Sequence, residues 1–299
     1  MNEQLFPDVD HQSTRSGHRF ARLRSLPLRV ILPNLVTLLA LCAGLTGIRM
    51  GLEGRFEWAV GAIVLAALLD AVDGRVARWL KGTSRFGAEL DSLSDFVNFG
   101  VVPGLLLYIW VLKSTASVGW LAVLAYVVAA MLRLARFNVM LDTPKPAWQA
   151  NFFTGMPAPA GAIAALLPLY LAQIFDFQPG RPIAGMVAVY LVFVAFMMVS
   201  TIPTFSGKKF GARIPRDKVI PVSGAVVVLI AALVSFPFPI LAIVTIAYLA
   251  YIQFGWRLFH RLDREWKAGE AAAAGPGKTT DEADEGEPVD PESSETVDR

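Results

Sequence analysis

Apolar runs of about 20 residues, bilayer-crossing length, recur from residue 31 to residue 259. No other feature constrains the fold as tightly. Lipid offers the backbone no hydrogen-bond partner, so each run must satisfy its own peptide groups, and a run this long does so as a helix. Of the 299 residues, 55% are hydrophobic and 17% charged, with mean hydropathy +0.50; a soluble domain carries roughly 25% charged residues. The expected fold class is all-α and polytopic, with eight spans near 31–51, 57–80, 87–112, 117–138, 156–175, 182–203, 219–237 and 239–259. The "FPFP" at 236–239 separates the last two, because proline breaks helix propagation. The alternative is six spans with a re-entrant final pair.

Basic residues orient this bundle. With the N-terminus inside, only Arg49, Arg55, Lys113 and Arg181 of the 27 Lys and Arg fall outside. By the positive-inside rule both termini are expected in the cytoplasm. Residues 1–30 form a basic arm in which "HRFARLRSLPLRV" alternates Arg with Phe and Leu, the pattern of a segment lying on the inner leaflet. The run behind it has span length and no small-residue cleavage site, so no removable signal is expected. Residues 31–267 form the membrane domain, and 268–299 a Gly-, Pro- and Glu-rich tail with the composition of disorder. Without the tail the chain carries 25 basic and 15 acidic residues, a net of +10, which suits anionic lipid or phosphate-bearing ligands at the cytoplasmic face. One cysteine, Cys42, excludes a disulfide framework. The histidines, His11, His18 and His260, lie outside the apolar runs, which argues against a histidine-ligated metal or a Ser-His triad within the membrane.

Against that background, "DAVDGRVARWLKGTSRFGAELDSLSD" (70–95) places Asp70, Asp73, Asp91 and Asp95 in apolar surroundings, where ionisable residues are costly and mark function by default. At about 100° per residue, Asp70, Asp73, Gly74, Ala77 and Arg78 share one helix face. Gly87, Asp91 and Asp95, spaced by four, form a stripe on the next helix, and Glu89 points away. The short link "KGTSR" (81–85) turns the chain back so that the two faces can meet. Four carboxylates in a dry setting need counter-charge. Two oxygen-bound divalent cations supply it, and with no His or Cys nearby Mg²⁺ or Mn²⁺ is favoured over zinc. Two such ions can clamp a phosphate. Gly74, Ala77 and Gly87 leave room for a ligand near the backbone, and Arg78 can hold a phosphate. The competing reading pairs the aspartates with Arg75, Arg78 and Arg85 and uses the small residues for helix packing.

The spacing Asp70-x2-Asp73-Gly74-x2-Ala77-Arg78-x8-Gly87-x3-Asp91-x3-Asp95 resembles, position for position, the signature of the CDP-alcohol phosphatidyltransferase family. The resemblance implies a metal-dependent membrane enzyme that moves a phosphatidyl group from CDP-diacylglycerol to an alcohol and releases CMP. It implies a six-helix core here followed by a C-terminal pair. It further implies that Asp70, Asp73 and Asp91 are metal ligands and that Asp95 is both ligand and general base. Gly74, Ala77, Arg78, Gly87 and, more weakly, Ser84 would line the nucleotide and diphosphate site. "LPNLVT" is similar to a Pro-Asn-x-x-Thr of that family and adds Asn34 and Thr37 as nucleotide contacts.

"LRLARFNV" (132–139) and "FFTGMPAPAGA" (152–162) extend the likeness to the bacterial membrane-integral phosphatidylserine synthases. Asn98 and Val102 depart from that group, which more commonly has Ser and Ala there. The implied acceptor is L-serine and the implied product phosphatidylserine. The implied location is the bacterial inner membrane, as a multi-pass protein with its active site at the cytoplasmic face. Membrane lipids are expected partners, nucleic acid is not, and a homodimer is compatible with the reading. A zwitterionic acceptor needs a cation for its carboxylate, which makes Arg133 and Arg136 candidates, with Asn138 and the "FTGMP" turn (153–157) beside them; the alternative makes both arginines membrane-edge anchors, or has one of them bind the lipid phosphate. The loop 206–218 reads as a leaflet-binding surface. Choline, glycerol 3-phosphate or an inositol phosphate are the rival acceptors. A cation transporter is the rival of another class, although no internal repeat supports it.

Overall fold

A computed structural model describes residues 28–140, 152–177, 180–200, 203–205, 216–252, 261 and 264. The chain divides into two compact units, Met1–Trp256 and Arg257–Arg299, and every element described below belongs to the first. The acidic tail, nearly all of the basic N-terminal arm and most of the loop 206–218 lie outside the described residues.

The described residues are almost entirely helical. Helix α1 (Leu28–Leu52) packs along α2 (Phe56–Trp79). Helix α3 (Arg85–Asp95) runs through a wider π-turn (Phe96–Val101) into α4 (Val102–Trp110), and a short 3-10 turn (Leu112–Thr115) leads to α5 (Ser117–Met140). Helices α6 (Ala158–Ala165), α7 (Leu167–Phe175), α8 (Arg181–Val199) and α9 (Arg216–Ser235) follow, and α10 (Pro237–Ile252) closes the bundle. Two three-residue strands, Phe152–Thr154 and Pro203–Phe205, pair antiparallel with Phe153 opposite Thr204. No strand is foreseen by an all-helical reading; this ribbon ties the segment before α6 to the segment after α8.

Among the described residues, five helical stretches are long and apolar enough to cross a membrane: Ile31–Leu52, Arg85–Trp110, Ser117–Met140, Ala158–Phe175 and Arg181–Val199. The pair Val219–Ser235 and Pro237–Ile252, bent by 119° at the "FPFP", makes a sixth if it is one broken span. Helix α2 matches the others in length, but Glu57, Asp70, Asp73, Arg75 and Arg78 lower its apolar character. Leu35, Leu65, Leu68, Leu121, Leu132, Val189 and Phe196 all face outward. In water that many exposed large side chains mark an unstable or aggregating surface; in a bilayer they are simply the solvated face.

The core lies between α4, α5, the α6–α7 pair and α8, around the fully buried Phe99, Leu106, Leu107, Tyr126, Met156, Leu169, Leu191 and Met198. Alanines at 158, 162, 164 and 165 let α6 sit close against α8 and the π-turn, the small-residue packing expected where lipid offers no hydrophobic drive between helices. Helix α10 adds Phe238, Leu241, Ala242 and Ile252 to this core. The polar residues gather elsewhere, where α1, α2 and α3 meet.

Candidate active site

Each of these three helices, with the N-cap of α3, turns some of its polar side chains toward a shared cleft. The N-cap of α3 is Ser84, whose hydroxyl oxygen accepts the Gly87 N–H at 3.0 Å, so one otherwise orphaned helix-start donor is satisfied. That cap fixes where α3 begins, and hence where Gly87, Asp91 and Asp95 point. The Ser84 hydroxyl keeps its own proton to donate into the space beyond.

Asp70, Asp91 and Asp95 each offer a carboxylate oxygen, and the three oxygens lie within 4.8 Å of one another. Asp73 stands outside that trio. It is the most buried of the four at 4% exposure, and Thr37 on α1 donates its hydroxyl to Asp73 Oδ2 at 2.7 Å. Asp73 and Asp91 nevertheless line a common cleft of about 180 Å³, which joins the trio to the rest of the site through Asp91.

Asn34, Thr37, Gly74, Ala77, Arg78, Ser84 and Gly87, all singled out from sequence, line this same cleft. Pockets that engulf a whole small molecule span roughly 300–1,000 Å³, so this one suits the polar end of a larger ligand. Its two glycines differ in what surrounds them. A Cβ on Gly87 would meet Asn34 Oδ1 at 2.8 Å and Ser84 Oγ at 3.1 Å, so the protein itself needs glycine there. A Cβ on Gly74 would have only Arg78 Nη1 nearby, at 3.6 Å; the space over Gly74 is open to the cleft.

The competing ion-pair reading meets no support. Among the described residues the ion pairs are Arg49–Glu53 at 3.0 Å and Arg55–Glu53 at 3.8 Å, both in the α1–α2 turn. Arg75, Arg78 and Arg85 form none with the four aspartates. Asp95 Oδ1 is buried and has no hydrogen-bond partner. An oxygen-only donor set, clustered carboxylates with no ion-paired arginine and an orphaned buried oxygen fit a hard divalent cation.

The three acceptor candidates on α5 separate. Arg133 is buried at 8% exposure, its guanidinium 5.3 Å from the Phe137 ring centroid, and its charge acts on Asp95. Arg136 donates to the carbonyls that end α8, at 2.7 Å to Val199, 3.1 Å to Ser200 and 3.4 Å to Met198, where a cation also complements the helix dipole. Asn138 is exposed and donates to Ser92 Oγ at 3.0 Å, linking α5 to α3. In the 153–157 turn, Met156 N–H binds the Met197 carbonyl at 3.2 Å, so this turn lies against the end of α8 rather than lining the cleft.

One string of residues was not foreseen. Ser94, 3% exposed, donates to the Thr37 carbonyl at 3.4 Å and accepts from Asn98 Nδ2 at 3.2 Å. Ser94 carries no motif and looks like any helix serine; its burial is visible only once α1 is in place.

The family model described as CDP-alcohol phosphatidyltransferase matches residues 30–202. A CDP-diacylglycerol–serine O-phosphatidyltransferase of Mycobacterium tuberculosis is 41% identical over 229 residues, which is 76% of this chain and 78% of that one. The protein of the same name from Helicobacter pylori is 33% identical, covering 62% of this chain and 76% of the relative. An archaetidylserine synthase of Methanothermobacter thermautotrophicus is 30% identical, covering 58% and 69%.

Proposed function

The chain belongs to the CDP-alcohol phosphatidyltransferase family, and we propose that it transfers the phosphatidyl group of CDP-diacylglycerol to the hydroxyl of L-serine, giving phosphatidylserine and CMP. One observation carries the choice of alcohol. The relatives' names differ in the lipid, diacylglycerol in most and archaetidyl in one, while serine is common to them.

The described geometry supports the following roles. Asn34, Arg78, Ser84 and the open face of Gly74 hold the nucleotide and diphosphate, while Thr37 keeps Asp73 in place and the acyl chains remain outside the cleft. Asp70, Asp73, Asp91 and Asp95 are the residues to hold divalent metal, Mg²⁺ or Mn²⁺. Bound there, a pair of ions offsets the carboxylates and stabilises the entering and leaving oxygens of a phosphoryl displacement. Asp95 accepts the serine hydroxyl proton. The serine oxygen bonds to the phosphorus that carries diacylglycerol, the bond from that phosphorus to the CMP oxygen breaks, and CMP leaves. Arg133 takes the serine carboxylate; Arg136 and Asn138 support α5 around it.

The same reading extends to the membrane. Eight spans, counting α2 and taking the bent α9–α10 pair as two, put both termini and the cleft on the cytoplasmic side of a bacterial inner membrane. The basic inward residues support that orientation. The domain limits remain 1–30, 31–267 and 268–299, and a homodimer is compatible with the outward apolar faces.

The test uses purified full-length protein, labelled CDP-diacylglycerol and a panel of alcohols, with and without EDTA. Serine-dependent CMP release that EDTA abolishes and Mg²⁺ or Mn²⁺ restores is the expected result. Release with glycerol 3-phosphate or choline but not with serine overturns the choice of acceptor.

A further inference from the structure

The helix that carries Asp91 and Asp95 does not run regularly into the core. At about 100° per residue, Gly87, Asp91, Ser94 and Asp95 share one direction on α3. In α4 the buried residues are Val102, Pro103, Gly104, Leu106, Leu107 and Trp110. Were the helix regular from end to end, those six would centre about 90° away from the carboxylates. Burying α4 would then swing Asp91 and Asp95 off the site. One extra residue in a turn restores the match, and the π-turn Phe96–Val101 supplies it: the Val102 N–H reaches back five residues to the Val97 carbonyl.

Local chemistry explains why the wider turn forms here. Pro103 has no N–H, and its ring crowds the carbonyl four residues earlier, that of Phe99. Phe99 therefore loses its ordinary helical donor. Tyr126 on α5, fully buried, donates its hydroxyl to that carbonyl at 2.8 Å. One turn further along α5, Ala130 meets Gly100 so closely that a Cβ there would lie 3.0 Å from the alanine Cβ. From the other side Asn98, 1% exposed, donates to Ser94, which donates to the Thr37 carbonyl. Thr37 in turn holds Asp73.

We infer that the π-turn Phe96–Val101 is a register device that aims Asp91 and Asp95 at Asp70, and that Tyr126 is the positioning residue that holds it open. This rests on the reading above that those aspartates hold the metal. Tyr126 lies outside the cleft lining and acts through the Phe99 carbonyl. π-Turns embedded in helices are frequent at functional sites, and here the turn reconciles two burial demands on one helix.

The test compares full-length protein in detergent with Tyr126→Phe, which keeps the ring and removes the hydroxyl, and with deletion of Val97, which leaves the turn one residue short. Mn²⁺ alone is the probe, titrated by electron paramagnetic resonance, alongside kcat, the KM for serine and the metal-free melting temperature. Tyr126→Phe is expected to weaken Mn²⁺ binding about tenfold, as loss of an outer-shell partner does, and to lower kcat while the serine KM stays within about twofold. A folded deletion variant is expected to bind no Mn²⁺. A lower melting temperature with unchanged Mn²⁺ affinity in Tyr126→Phe assigns Tyr126 to stability alone and overturns the inference, as does full binding by a folded deletion variant. Failure of the unmodified chain to bind Mn²⁺ overturns the metal reading and the inference together.

Discussion

Two acidic regions of this molecule are treated in opposite ways. In the α1–α2 turn, Glu53 has Arg49 at 3.0 Å and Arg55 at 3.8 Å, on side chains exposed by 75% and 52%. At the other end of α2, Asp70, Asp91 and Asp95 crowd within 4.8 Å. Arg75, Arg78 and Arg85 lie close by in sequence, yet none forms an ion pair with them. A lone surface carboxylate takes whatever cation the chain supplies at little gain or cost. A half-buried trio of carboxylates with no arginine in ion-pair contact instead has a donor set that fits a cation from outside. The presence of acidic groups is therefore uninformative by itself, and what distinguishes the two regions is that Arg75, Arg78 and Arg85, near in sequence, form no ion pair with the trio.

That contrast can be broken most sharply at Asp95. Replacing it with asparagine preserves shape and removes the proton acceptor. CMP release should fall by about 10²–10⁴-fold, the usual contribution of a general base, with the melting temperature reporting that the fold persists; near-normal turnover removes Asp95 from the mechanism. A smaller effect is expected from Thr37→Val, nearly isosteric, which takes away the 2.7 Å hydrogen bond to Asp73. Mn²⁺ affinity should drop about tenfold in a titration of folded protein, and unchanged affinity means that Asp73 needs no such holder. The smallest belongs to the other region. Glu53→Gln should leave CMP release unchanged and alter stability by less than about 1 kcal/mol, as measured by thermal unfolding.

Much of the site was legible before any fold was known, because helical periodicity alone sorts side chains by direction. The three- and four-residue spacings of the aspartates place them on two faces, and the seven cleft residues named from the signature and from "LPNLVT" line one cleft. The acceptor side was less legible. Arg133 and Arg136 are one turn apart on α5 and indistinguishable in sequence, but one acts on Asp95 while the other binds the end of α8. Which neighbour waits on each side of a helix is a long-range fact that no local pattern records. Asn98 stood out only as a departure from a related group; its buried bond to Ser94 needed α1 and α3 together. The paired strands at 152–154 and 203–205 are too short to carry an alternating pattern, so they too emerge only with the fold.

The amino-acid order by itself determined that this chain is a helical membrane protein with four carboxylates on two faces. Span length and helical pitch are properties of single segments, and they need no knowledge of neighbours. Only the tertiary structure decided that Asp73 is held from α1, that Arg136 belongs to α8, and that the helix carrying Asp95 widens by one residue. Pro103 was visible in the sequence as a missing donor. What it cost, and that Tyr126 offsets it, depends on α5 lying against the Phe99 carbonyl, and that juxtaposition is a product of packing.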